Sequence, residues 1–185
     1  MKPQIRSEYN GKGYVYAASA ADIARDTGFE KIARLASNEN PFEPAPEIQK
    51  AAALALSDIN RYPDPSSAKL RAAIRKHIYD APVVVSGSGM DGVIETVIRV
   101  IVSPGDTVAV AAPTFSVYGL AAKAASANIV NIPSREDFTI DIDLFIEKAR
   151  TAKLPFLCTP NNPTGTTVPA AEVKRILENI EGFLF

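Results

Sequence analysis

The feature that most constrains the fold is a regular alternation of apolar runs and helical stretches that begins at Ala81. The short apolar runs suit buried strands, and the segments between them carry helical spacing. The predicted strands are residues 83–86, 107–111, 128–132, 155–159 and 182–185, and the predicted helices are residues 90–101, 117–125, 141–151 and 169–179. Since strand-helix-strand units form right-handed crossovers with parallel pairing, the pattern predicts an α/β domain whose mostly parallel sheet has helices on both faces.

The preceding residues have a different character. Residues 1–45 are irregular and rich in Gly and Pro, with one predicted helix at 20–28, so we interpret them as an N-terminal arm and small-domain segment. Two further helices are predicted, at 46–57 and from Ser66 or Ser67 to Tyr79, on either side of a stiff connector that contains two prolines. We assign residues 46–185 to a partial large domain, truncated at its C-terminal end because the last predicted strand stops at Phe185.

Composition narrows the class of protein. The chain has 185 residues, 46% of them hydrophobic, and its 20 basic and 21 acidic side chains nearly cancel. No basic patch indicates nucleic acid, and no apolar stretch is long enough to span a membrane. The single cysteine, Cys158, fits a reducing compartment, and the N-terminus lacks a signal peptide, so we predict a cytoplasmic protein.

A glycine loop, Gly87-Ser88-Gly89-Met90-Asp91-Gly92, follows the first predicted strand and opens a helix. The free N–H groups and positive end of such a helix favour an anion such as phosphate. A dinucleotide site would also need a carboxylate at the end of the next strand, and Ala111-Ala112-Pro113 offers none there. Two alternatives stay open: a nicotinamide or flavin site, and glycines that only make a tight turn.

Two more loops follow predicted strands. Residues 113–118 contain Phe115, whose ring could lie flat on a planar cofactor, although a single Phe is more often part of a core. Residues 160–165 contain Asn162, whose amide could bond a phenolate-type oxygen, although Asn-Pro-Thr-Gly is often only a turn. Because ligand loops lie at the carboxyl ends of parallel strands, we expect the three loops to converge on one edge of the sheet.

These motifs resemble a known family. The run Pro160-Asn161-Asn162-Pro163-Thr164-Gly165 resembles the signature of class I/II aminotransferases, which have the type I pyridoxal-phosphate fold. Two N-terminal motifs, Leu35-Ala36-Ser37-Asn38-Glu39-Asn40-Pro41 and Asn60-Arg61-Tyr62-Pro63-Asp64-Pro65, resemble those of histidinol-phosphate aminotransferases within that family. The glycine loop departs from the usual pattern at Ser88, Met90 and Gly92, which leaves backbone amides to hold a phosphate.

The resemblance implies that the cofactor is pyridoxal phosphate and that the full-length protein is a homodimer. The implied cofactor contacts are Gly89, Met90, Asp91, Phe115, Asn162 and, acting in the partner subunit's site, Tyr62. The residues implied to lie near the substrate are Tyr14, Asn38 and Glu39. The implied substrates are a phosphorylated, amino-acid-like compound and a 2-oxo acid.

The resemblance also implies what these residues do not contain. In the family, the lysine that forms a Schiff base with the cofactor follows later in the chain, so no catalytic residue is assigned here. The implied function is the N-terminal part of an enzyme that transfers an amino group between histidinol phosphate and 2-oxoglutarate in histidine biosynthesis, inactive as this fragment. Two alternatives stay open: a threonine-phosphate decarboxylase-like enzyme, and a non-catalytic binding or scaffold fragment. No metal site is predicted, because the one histidine, His77, has no cluster of ligands around it.

Overall fold

The computed structural model describes residue 4, residues 6–9 and residues 17–185. The chain divides into two compact units: Val15–Val84, and Met1–Tyr14 together with Val85–Phe185. We call the first the helical unit and the second the sheet unit. The domain boundary predicted between residues 45 and 46 stays a prediction. In the described residues, no helix has the length and apolar character needed to cross a bilayer.

The helical unit contains α1 (Ala20–Thr27), α2 (Pro46–Ala55) and α3 (Ala68–His77), and a 3-10 turn, Leu56–Asp58, extends α2. Local chemistry accounts for the ends of these helices. The Ser19 hydroxyl caps α1 by accepting the Asp22 N–H at 3.0 Å, and Pro46 starts α2 with its backbone angle already set. The helices predicted from the sequence in this unit are confirmed, with ends that differ by a few residues.

The sheet unit contains three parallel strands in the order β2-β1-β3. The strands are β1 (Thr107–Ala112), β2 (Asn128–Pro133) and β3 (Leu154–Phe156), and the helices are α4 (Gly89–Ile101), α5 (Val117–Ala124), α6 (Ile142–Ala149) and α7 (Ala170–Asn179). A short 3-10 turn, Ser7–Tyr9, contacts α5. The predicted α/β class with a parallel sheet is confirmed.

The side chains of β1 alternate between two helical layers, as strand geometry requires. Val108 and Val110 point into one core cluster with Ile94 and Ile98 of α4. Ala109 and Ala111 point into a second cluster with Phe145 of α6 and Ile176 of α7. Since α5 belongs to the first cluster and α6 and α7 to the second, helices cover both faces of the sheet, as predicted.

Two predicted strands are wrong. Residues 83–86 are irregular, and Val83 and Val85 are 68% and 60% exposed, because no described strand lies beside them to accept a backbone ladder. Residues 182–185 are also irregular, since Gly182 has a φ of 102° that breaks the extended run. Phe185 alone pairs with the sheet: its N–H donates to the Pro155 carbonyl at 3.0 Å, and its carbonyl accepts from Leu157 N–H at 2.8 Å.

Candidate functional site

The loops that follow β1 and β3 are joined by the side chain of Asn161. Its amide nitrogen donates to the Pro113 carbonyl at 3.0 Å and to the Thr164 hydroxyl at 2.8 Å. Its amide oxygen accepts from the Thr114 hydroxyl at 2.6 Å. Asn161 is 7% exposed and is the one buried polar residue in the described chain. We call Asn161, Pro113, Thr114 and Thr164 the Asn161 junction.

The loop after β2 joins the same network. The Thr164 and Thr166 hydroxyls lie 2.8 Å apart, and the Thr166 hydroxyl donates to the Phe138 carbonyl at 3.1 Å. Because the Thr166 hydroxyl gives its one proton to the Phe138 carbonyl, the Thr164 hydroxyl is the donor to Thr166, and the bonds run in one direction toward Phe138. Hydrogen bonds therefore connect the loops at the carboxyl ends of all three strands.

Phe115 and Asn162 each follow a member of this junction in the chain. Phe115 is half-buried and meets the Tyr118 ring edge-on, with centroids 5.7 Å apart. Asn162 is also half-buried, and its side-chain amide has no hydrogen-bond partner in the part of the chain that the structure describes. Two of the three predicted loops thus meet, and each brings its predicted cofactor contact to the same edge of the sheet.

Tyr118 packs edge-on against the Phe115 ring and holds it from the side of the core. It is 7% exposed and stacks on Phe156 of β3, with ring centroids 4.6 Å apart and an interplanar angle of 24°. Burial and a hydrogen bond with the Cys158 thiol raise the pKa of the Tyr118 phenol above its ordinary range. The phenol is therefore neutral at physiological pH and acts as a fixed aromatic support.

The glycine loop opens α4 without a side-chain cap. Gly89 has a φ of +65°, in the left-handed region that favours glycine, and its N–H donates to the Gly87 carbonyl at 2.9 Å. A Cβ on Gly87 would lie 3.1 Å from the Val93 nitrogen, so the loop packs directly on its own helix. In the described chain, the exposed N–H groups of Met90 and Asp91 have no acceptor, as a phosphate site requires.

The loop follows an irregular segment and not the predicted strand, but α4 buries Ile94 and Ile98 in the same core cluster as β1. The predicted convergence of this third loop with the other two stays a prediction.

Three of the other predicted site residues, Asn38, Glu39 and Tyr62, belong to the helical unit. Tyr62 is fully exposed in the helical unit. Asn38 is exposed as well, and Glu39 pairs with Arg34 at 2.9 Å. Tyr14 lies outside the described residues. The roles predicted for these four residues stay predictions.

Sequence reasoning missed Asn161 and Thr114. The run Pro-Asn-Asn-Pro shows two adjacent amides, but a loop has no periodicity that tells which of them points inward. The usable signal was that a buried junction between loops needs a side chain with both donors and an acceptor, which Asn provides. Among the described residues, no group of His, Cys, Asp and Glu is placed to hold a metal ion.

The fold and this edge define a class of protein, and comparison with known proteins agrees. The family model for aminotransferase class I and II matches residues 30–184, and the chain belongs to that family.

Among curated relatives, histidinol-phosphate aminotransferase from Methanocorpusculum labreanum is 57% identical over 185 residues, which is 100% of this chain and 53% of the relative. The enzyme of the same name from Methanoculleus marisnigri is 53% identical, with the same two shares covered. The chain thus spans about half the length of these relatives.

A solved structure has the same fold. Histidinol-phosphate aminotransferase from Sinorhizobium meliloti, in complex with pyridoxal-5'-phosphate, superimposes with a TM-score of 0.83 at 24% identity. The match covers 100% of this chain and 50% of that one.

Proposed function

We propose that this chain is the N-terminal part of a pyridoxal-phosphate-dependent aminotransferase that moves an amino group between histidinol phosphate and 2-oxoglutarate. The names of the curated relatives support the substrate, since two of them exceed half identity across this whole chain. One observation carries the proposal. At the edge where two loops meet, the Asn162 side-chain amide has no hydrogen-bond partner in the described part of the chain, while the preceding Asn161 bonds Thr114, the residue before Phe115.

The residues present fit pyridoxal phosphate. The unpaired N–H groups of Met90 and Asp91 suit its phosphate, and the Gly89 turn sets their direction. The Phe115 ring offers an apolar face to the pyridine ring, and the Asn162 amide offers a donor to the 3′ oxygen. When bound, pyridoxal phosphate acts as an electron sink for the carbon from which the amino group leaves.

The whole protein's partners are part of the same proposal. They are a phosphorylated amino substrate, a 2-oxo acid and a second copy of the chain. Tyr62 is fully exposed on an extended connector, so it is available to reach a partner subunit's phosphate site. We place Tyr14, Asn38 and Glu39 near the substrate, and the enzyme in the cytoplasm.

The 185 residues alone do not catalyse amino transfer under this proposal. The reaction needs an amine at the cofactor aldehyde that also carries a proton between carbon atoms. No lysine occurs in residues 87–92, 113–118 or 160–165. The chain therefore supplies the phosphate and ring contacts but no group that moves the proton.

The test is to assay the full-length protein encoded by the reading frame that contains this chain, together with the 185-residue chain. We expect the full-length protein to form glutamate from 2-oxoglutarate and histidinol phosphate, and the 185-residue chain to form none. Release of carbon dioxide from threonine phosphate without amino transfer would favour the decarboxylase alternative. Turnover by the 185 residues alone would contradict the proposal, because it would need a lysine that these loops lack.

A further inference from the structure

We propose that Asn161 is a positioning residue that holds Asn162 and Phe115 in place for the cofactor. The inference rests on the proposed function, since it concerns the same edge of the sheet, but it assigns a role to a side chain that would not contact the cofactor.

The Asn161 side-chain amide makes its hydrogen bonds within the protein. Both of its N–H groups donate, to the Pro113 carbonyl and the Thr164 hydroxyl, and its oxygen accepts from Thr114. With an exposed fraction of 7% and these three partners, the group has neither access nor spare protons for a ligand. Its role must therefore act through its neighbours.

The two proposed cofactor contacts lie next to Asn161 and to its partner Thr114 in the chain. Asn162 follows Asn161 directly, and Phe115 follows Thr114, the residue that donates to Asn161. Two backbone hydrogen bonds also fix Asn161 within its own loop. Its N–H donates to the Thr166 carbonyl at 2.8 Å, and its carbonyl accepts from the Gly165 N–H at 2.7 Å. The side chain thus fixes the loop after β3 to the loop after β1, one residue from each proposed cofactor contact.

Besides the hydrogen bond between the Tyr118 phenol and the Cys158 thiol, the Asn161 side chain supplies the long-range side-chain bonds that join these two loops in the described residues. The contacts of Asn161 with Pro113 and Thr114 are 48 and 47 residues apart in sequence, whereas Thr164 and Thr166 bond within their own loop or to Phe138. Removal of the Asn161 amide should therefore loosen the two loops next to Asn162 and Phe115 without removing any group that touches the cofactor.

The experiment uses the 185-residue chain and 4′-deoxypyridoxine 5′-phosphate, which keeps the ring, the 3′ oxygen and the phosphate but has no aldehyde to react with lysines. Calorimetry compares the parent with Asn161→Ala, Asn161→Asp, Thr114→Val and Thr114→Ser. We expect Asn161→Ala to lower the affinity for the probe about tenfold, which is equivalent to the loss of one or two hydrogen bonds. Asn161→Asp should weaken it at least as much, since a carboxylate cannot donate to Pro113. Thr114→Val should show a smaller loss, and Thr114→Ser should restore parent affinity because it keeps the hydroxyl.

Two controls separate positioning from general damage. Asn128→Ala removes a comparable tie at the opposite edge, where the Asn128 amide donates to the Gly105 carbonyl at 2.8 Å, and should leave probe affinity unchanged. Inorganic phosphate, which needs only the glycine loop, should bind Asn161→Ala as it binds the parent. Equal loss of phosphate and probe in Asn161→Ala would overturn the inference.

A variant cycle tests the route through Asn162. Asn162→Ala removes the proposed contact itself, so adding Asn161→Ala to it should cost clearly less than tenfold further. If Asn162→Ala weakens the probe and Asn161→Ala does not, positioning fails while the proposed function stands. If Asn162→Ala binds the probe as tightly as the parent does, the cofactor contact that the proposed function assigns to Asn162 is wrong.

Amide hydrogen exchange decides the inference even where the probe does not bind. We expect Asn161→Ala to lower the protection of the Gly165 N–H at least about tenfold and to leave the Gly105 N–H, which donates to the Ser126 carbonyl, unchanged. Unchanged protection at Gly165 would overturn the inference regardless of any ligand.

Discussion

The helical unit and the sheet unit contain equally clear amphipathic helices, yet only one of them buries side chains. In the sheet unit, Phe145, Ile94 and Val108 are completely buried. No described residue between 17 and 84 is buried, and Leu54 of α2 remains 67% exposed. The difference is the sheet. The side chains of β1 are apolar on both faces of the sheet, and helices can pack against each face. Helix formation is thus local, whereas a core needs a second layer.

The largest expected effect tests this difference in stability. Phe145→Ala should lower the free energy of unfolding by about 3–5 kcal/mol, because it leaves a cavity in a closed core. Leu54→Ala should change it by less than about 0.5 kcal/mol. Urea unfolding of both variants, followed by circular dichroism, measures the two values. Similar losses in the two variants would mean that the helical unit has a core of its own.

Hydrogen exchange sharpens the same comparison without a mutation. Val110 lies in the central strand, and Ala53 lies in α2, so both amides are in regular structure. Because local opening costs little where nothing is buried, we expect the Val110 amide to be protected at least about 100-fold more than that of Ala53. Equal protection would contradict the comparison.

Two glycines of the sheet unit, Gly89 in the glycine loop and Gly119 inside α5, should respond to alanine with opposite changes in stability. Gly89→Ala should destabilise the chain by about 1 kcal/mol, since its φ of +65° disfavours a side chain although the space is open. Gly119→Ala, inside α5 and with open space around it, should instead stabilise by about 0.5–1 kcal/mol. Thermal unfolding measures both signs. Stabilisation by Gly89→Ala would show that Gly89 does not have a left-handed backbone at the start of α4.

The smallest effect concerns two carboxylates, one in each unit. The Leu144 N–H, followed by Arg135, lowers the pKa of Asp141 at the start of α6, and Ser66 and the Ala68 N–H lower the pKa of Asp64. A folded-state pKa below the unfolded value of 3.8 gives stability that is present above pH 4 and lost as the pH falls through the folded value. Asp141 should affect global unfolding, whereas Asp64 should affect only local helicity.

Urea midpoints measured from pH 6 down to pH 3 test this pair. Asp141→Asn should reduce the fall in midpoint below pH 4, because it removes the titrating group. Asp64→Asn should leave that fall as in the parent. A larger change from Asp64→Asn would contradict the assignment of global stability to the sheet unit.

Much of this fold could be predicted because its cause is local. The alternation from Ala81 onward predicted β1, β2 and the four helices around them, and cap residues such as Ser19 and Pro46 mark helix starts. Residues 83–86 and 182–185 have strand-like sequences, but a strand also needs a neighbour's backbone, which a sequence pattern does not show.

The site was predictable to the same degree. The positions of Phe115 and Asn162 at the carboxyl edge follow from the order of strands and loops. The buried Asn161 amide does not, because its partners Pro113 and Thr114 are distant in sequence and only the folded loops bring them together.

The most direct measurement of the central claim is a titration of the labelled 185-residue chain with 4′-deoxypyridoxine 5′-phosphate, followed by nuclear magnetic resonance. We predict shifts in the Met90 and Asp91 amides and in the Asn162 side-chain amide at the same ligand concentration, with none at Gly105 or Asn128 on the opposite edge. Shifts confined to the opposite edge, or phosphate-loop shifts with an unaffected Asn162, would contradict the central claim.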